Sequence, residues 1–182
     1  TANAVGITQA GAITQAASAG AATFNAGAGI ITLTNTGNDF TGDVSLNNSG
    51  NNAVQITNAN PLSLGASAVG TGIFTANAIG ITQAGAITQA ASAGAATFNA
   101  GAGVITLTAA NDFTGNVSLN NSGNNAVQIT DANALSLGAS AVGTGIFTAN
   151  AVGITQAGAI TQAASAGAAT FNAGAGIITL TN

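Results

Sequence analysis

Four aspartates, Asp39, Asp43, Asp112 and Asp131, are the only side chains of the 182-residue chain that ionise near neutral pH. Lys, Arg, His, Cys, Tyr and Glu are all absent, which leaves carboxylates and Ser or Thr hydroxyls as the only groups able to move a proton or attack. Asp39 and Asp43 stand four positions apart, a spacing that could pair two carboxylates for acid–base work or, with Asn38, hold a Ca2+ ion. Each of these chemistries meets an objection. A later copy of the segment has Asp112 and Asn116 at the two places, so the pair is not repeated. Calcium asks for six to eight oxygen ligands, and the Gly-Gly-x-Gly-x-Asp nonapeptide that solves this in solenoids does not occur. A hydroxyl without a base is a poor nucleophile. The expectation is a chain that is not an enzyme, with no catalytic residue and no cofactor site. Asp39 and Asp43 are its only, weak, metal candidates. The aspartates read as exposed corner residues that bond the local backbone. The exchange of Asn58 for Asp131 at one repeat position reads in the same way, as a solvated corner.

The elements that position these residues belong to a repeat. Thr1-Ala2-Asn3-Ala4-Val5-Gly6-Ile7-Thr8-Gln9 returns at Thr75, with Ile79 for Val5, and again at Thr148, one position sooner the second time. The residue lost lies where Asn35-Thr36-Gly37 becomes Ala109-Ala110. Units therefore run 1–74, 75–147 and, in part, 148–182, and they predict one continuous solenoid with no separate globular domain. Within a unit, short segments such as Ala22-Thr-Phe-Asn25, Ile30-Ile-Thr-Leu-Thr34, Val44-Ser-Leu-Asn47 and Ala53-Val-Gln-Ile-Thr57 alternate apolar and polar residues, the period of half-buried strands. Gly, Asn, Ala and Ser clusters between them supply corners. A helix over 12–22 is opposed by frequent Gly and β-branched residues and by the lack of a capping acid. Asn-Gly, Asp-Gly and Gly-Gly, the tight-hairpin dipeptides, are missing, which favours parallel coils over a meander. At about 18–25 residues per coil, one unit makes three or four turns, each rising about 4.8 Å. Phe24, Phe98 and Phe171 are expected to stack in the thin core, and corner Asn residues to form ladders between turns.

Composition also limits partners. With a net charge of −4 and no cation, neither nucleic acid nor an anionic membrane surface is a fitting partner. No apolar run approaches the roughly 20 residues of a spanning helix. The absence of Cys removes disulfides. Thr-x-Thr pairs, at Thr32/Thr34, Thr106/Thr108 and Thr179/Thr181, suggest an ice-binding array, but they occur once per unit rather than once per turn. The sequons Asn47-Asn-Ser49, Asn116-Val-Ser118 and Asn120-Asn-Ser122 are as expected by chance in an Asn-rich chain.

The segments Gly11-Ala-Ile-Thr-Gln15, Ala22-Thr-Phe-Asn-Ala-Gly27, Asn38-Asp-Phe-Thr-Gly42, Val44-Ser-Leu-Asn47 and Leu62-Ser-Leu-Gly65 resemble the repeats of filamentous-haemagglutinin-like giant bacterial adhesins. These and related β-strand-repeat exoproteins are typically exported by two-partner secretion. The resemblance spans the whole chain and implies a right-handed parallel β-helix serving as a rigid extracellular stalk. It implies no residue-level binding site, since those repeats act mainly as a shaft. The functional expectation is a structural segment of an extracellular adhesin or surface fibre, acting as a stalk or as a multivalent contact face. Its partners would be itself, through a longer covalent array or filament bundling, and cell or abiotic surfaces. A short subunit of a self-assembling filament or sheath is the alternative, and an ice-binding solenoid comes third.

Overall fold

A computed structural model describes residues 1–181 as parallel strands wound into a β-solenoid of about eight turns, with no helix among the described residues. Two long sheets face each other across the core. The first joins nine strands: Ala2–Asn3, Ala22–Asn25, Val44–Asn47, Leu62–Leu64, Ile81–Gln83, Ile105–Asn111, Val127–Asp131, Phe147–Asn150 and Ala169–Asn172. The second runs Ile7–Thr8, Ile31–Leu33, Val54–Thr57, Phe74–Asn77, Ala96–Asn99, Val117–Asn120, Leu135–Leu137, Ile154–Gln156 and Ile178–Thr179. The chain visits the two sheets alternately, and every pairing is parallel. Short corner strands make a third, narrow face, where Ser67–Val69 pairs Ile87–Gln89 and Ser140–Val142 pairs Ile160–Gln162.

Coil length is uneven. The coil that brings Ile81 beside Leu62 is shorter than the next one, which brings Ile105 beside Ile81. Between Ile7–Thr8 and its sequence copy Ile81–Gln83 the chain changes sheet seven times, an odd number. One sequence unit is therefore three and a half turns, and each copy lands on the sheet opposite its predecessor. Ala22–Asn25 lies in the first sheet, Ala96–Asn99 in the second and Ala169–Asn172 in the first again. This places the expectation of three or four turns midway between its two values.

The alternation puts Val, Ile, Leu and Phe inward and Thr, Ser, Gln and Asn outward, as in the buried–intermediate pattern of Val54–Thr57. Large and small inward residues exchange places between neighbouring turns. Phe74 lies beside Ala96 and Ala76 beside Phe98, and Phe147 and Ala149 meet Ala169 and Phe171 in the same manner. The crossed fit sets a large side chain against a small one at each inward position. Phe24, Phe98 and Phe171 do not stack on one another, because successive copies lie three and a half turns apart along the solenoid. Their rings instead meet Phe40, Phe74 with Phe113, and Phe147, edge-on at 5.5–5.8 Å.

Corners depend on small residues. Ser18, Ser92 and Ser165 recur at φ 61–63° in equivalent bends, the left-handed region normally given to Gly. At Gly70 a Cβ would sit 1.9 Å from the Gly50 carbonyl oxygen, so the coils touch there backbone to backbone. The one-residue deletion is absorbed at another corner. In the first copy the Asn35 Oδ1 accepts from Gly37 N, closing a short turn, whereas Ala109-Ala110 extends a strand, Ile105–Asn111, whose register shifts between Leu107 and Asn111. Both routes deliver an asparagine, Asn38 or Asn111, into the interior.

Candidate functional site

The polar groups with chemical potential are distributed along the solenoid rather than gathered in a cleft. Asp39 and Asp43 are tied to different residues of the next turn. The Asp39 Oδ1 accepts from Asn60 Nδ2 at 3.0 Å and the Asp43 Oδ1 from Ser63 Oγ at 2.6 Å. In the next copy the Asn116 Oδ1 accepts from Ser136 Oγ at 2.7 Å, so the amide replaces Asp43 in the same contact without loss. No group of three or more His, Cys, Asp or Glu able to share a metal occurs among the described residues.

Asp131 departs from the solvated corner expected of it. It is 2% exposed, and its counterpart Asn58 is 3% exposed. The Asn58 Oδ1 accepts from Phe40 N, and its Nδ2 donates to the carbonyls of Phe40, Asn60 and Pro61. Asp131 keeps the acceptor half, taking Phe113 N on Oδ2 and Asn133 N on Oδ1, both at 2.9 Å. It has no amide to donate to the carbonyls. Burial pushes its carboxyl above the usual carboxylate range, and the two backbone donors oppose that shift while the Asp112 charge adds to it. Sequence could not separate this position from a loop, because Asn and Asp are corner residues in most contexts.

Two buried amide clamps were also hidden. Asn38 and Asn111 are 0% exposed. The Asn38 and Gln9 amides bond reciprocally at 2.8 Å, and Asn38 also accepts from Ile13 N and donates to the Leu33 and Thr57 carbonyls. Asn111 repeats the pattern with Gln83, Ile87 N and the carbonyls of Leu107 and Thr130. The spacing from Gln83 to Asn111 is 28 residues, slightly more than one coil, so the pair bolts neighbouring turns together. No buried side-chain N or O among the described residues lacks a partner.

On the surface the expected Asn ladders are present. Asn3, Asn25 and Asn47 form one on the first sheet, with amide bonds of 2.7 and 2.8 Å. Asn77, Asn99 and Asn120 form the equivalent on the second sheet. The sequon residues Asn47 and Asn120 thus have their amide nitrogens already engaged. Beside each ladder runs a shallow groove, of about 310 Å3 along Asn25, Gly27, Asn47, Asn48, Ser49 and Ala68. Its copy, of about 200 Å3, follows Asn99, Gly101, Asn120, Asn121, Ser122 and Ala141. The lining amides are spent on the protein's own bonds.

Outward hydroxyls align as well. On the second sheet Thr8, Thr32, Gln55, Thr75, Thr97 and Ser118 stand in one column. On the first sheet Thr82, Thr106, Gln128, Thr148 and Thr170 reproduce it. Counting Thr-x-Thr within single strands missed these columns, which arise between strands a full coil apart in sequence.

Fold and surface together define a repeat β-solenoid whose polar groups hold the structure to itself. The chain belongs to the family described as repeats of unknown function (DUF5649), which matches residues 1–47, 50–120 and 123–182. The second and third matches begin at 50 and 123, the same offset that separates the sequence copies at Thr75 and Thr148. Comparison with curated proteins and with solved structures returned no match.

Proposed function

We propose that the chain is a structural segment of a long extracellular adhesin or surface fibre, serving as a rigid stalk that also presents a repetitive polar face. The observation that carries the reading is the continuity of the solenoid. Strand pairing passes from one sequence copy into the next, with Gln55 beside Thr75, Leu62 beside Ile81 and Gln128 beside Thr148, and the amide clamp and Asn ladder recur in successive copies, so length can grow by adding units. The side chains offer no cation, and the only groups able to move a proton or attack are four carboxylates and the Ser and Thr hydroxyls, which suits a mechanical role better than a chemical one. Placement outside the cell fits a chain with no Lys or Arg for trypsin-like proteases and no Cys or Met to oxidise. Regular hydroxyl and amide columns would make many weak contacts to a surface, each multiplied by the number of units.

The test is the mass of the natural, fully denatured chain that carries this sequence. A mass many times 17.0 kDa is expected for a covalent stalk. A mass near 17.0 kDa would replace it with a fibre polymerised from short subunits.

A further inference from the structure

We infer that the two Thr/Gln columns are self-association faces, each occupied by the same face of a second copy of this chain, and that the assembly grows as a layered stack rather than closing as a dimer. The inference rests on the surface geometry alone and stands whether or not the natural chain is a long stalk.

The first support is the odd half-turn. Because one unit is three and a half turns, Thr8, Thr32, Gln55, Thr75 and Thr97 on the second sheet are the sequence copies of the residues in the first-sheet column. Any surface able to mate with one broad side is therefore reproduced on the other. A pair joined through one side leaves an equivalent side open, so the contact cannot saturate at two chains.

The second support is chemical. The column Thr hydroxyls make no hydrogen bond with the described residues, and neither column contains a charged residue. The one aspartate that borders a column is Asp43, whose carboxylate accepts from Ser63 Oγ next to Thr82 at the end of the first-sheet column. Gln55 and Gln128 project amides whose natural partners are hydroxyls and amides of an opposing sheet, the chemistry of dry contacts between stacked sheets.

Area sets the strength. The six and five strands that carry the columns, about 4.8 Å apart and about 13 Å long, give faces of roughly 300–400 Å2, below the ~800 Å2 per partner of a standard stable complex. The chain alone should thus associate weakly, and a longer array firmly. Placing residues 1–147 ahead of residue 1 adds two whole units, seven turns, and keeps each column on its own side.

Sedimentation velocity over a concentration series tests this with the chain and with its lengthened form. The lengthened form is expected to associate about 100-fold more tightly than the chain and to pass beyond the dimer. Thr75→Lys with Thr97→Lys should block the second sheet, and Thr106→Lys with Thr148→Lys the first, each substitution being made at every copy of its position in the lengthened form. Either pair should stop growth at dimers, and all four should give monomers, with circular dichroism showing the β-solenoid retained. A lengthened chain that stays monomeric at every concentration overturns the inference. So does growth past the dimer in a variant with one side blocked. Ice shaping by a monomeric chain that the Lys variants lose would also overturn it, and would assign the columns to ice.

Discussion

Asn111 carries more of the fold than any charged group. Its amide donates to Gln83 Oε1 and to the Leu107, Ala109 and Thr130 carbonyls, and its oxygen accepts from Ile87 N and Gln83 Nε2. Asn111→Ala would strand these groups in the core. A loss of about 3 kcal/mol is expected, read as a lower guanidinium midpoint at unchanged slope. Asp131 tests the opposite case, a buried carboxyl where the other copy has an amide. Burial raises its pKa in the fold above the ordinary aspartate value, so the folded chain holds this proton more tightly than the unfolded chain. The stabilisation is fully present below the unfolded value and is lost as pH rises through the folded one. Asp131→Asn restores the Asn58 arrangement, so its midpoint should exceed that of the parent at pH 7 and the gain should shrink at pH 3. A gain independent of pH would show that the carboxyl is not titrating there. Neither residue's role was legible in the sequence. Asn and Asp between apolar runs look like corners, and partners 18–28 residues away are set by coil lengths that vary from turn to turn.

At the scale of the element, strands were the legible part. Period-two alternation located Ala22–Asn25, Val44–Asn47 and Val54–Thr57 and gave the inward face of each. The missing hairpin dipeptides pointed to parallel coils. Corners were less legible, because similar Gly and Ala clusters serve unlike geometries. Gly11 has open space where a Cβ would go, whereas at Gly143 the Cβ would lie 1.9 Å from the Gly123 carbonyl oxygen. Gly11→Ala should therefore be neutral or stabilising by up to about 1 kcal/mol, through the unfolded chain's lost freedom. Gly143→Ala must push two coils apart and should cost about 3 kcal/mol or more. Its damage should be local, with amide exchange accelerating around Asn121 and Gly123 before the rest of the solenoid. Pro61 adds a gain available by copying. It sits just ahead of Leu62–Leu64, where the equivalent residue is Ala134, ahead of Leu135–Leu137. Ala134→Pro should raise stability by about 0.5–1 kcal/mol, checked by the same denaturant titration.

Across the whole molecule, stability is a sum over turns rather than the property of one centre. The sequence repeat made the solenoid legible and bounded its turns at three or four per unit. It could not show the half-turn, because a repeat length fixes neither the coil length nor the side on which a copy lands. The distinction matters physically. With whole turns per unit, each sheet would carry one kind of column and the two broad sides would differ. With three and a half turns, both sides carry the same columns and the core repeats with a two-sided alternation. Each added unit should then contribute the same increment, whichever sheet it begins on. Lengthening the chain by residues 1–147 should raise the denaturant midpoint, and adding the same block again should raise it less, as the fraying end turns become a smaller share of the whole. Salt provides the complementary check. The chain has no cationic side chain to pair with its four carboxylates, so raising NaCl to about 1 M screens only weak repulsion between them. The midpoint should stay level or rise slightly, whereas a clear fall would reveal stabilising electrostatics that these residues have no means to supply.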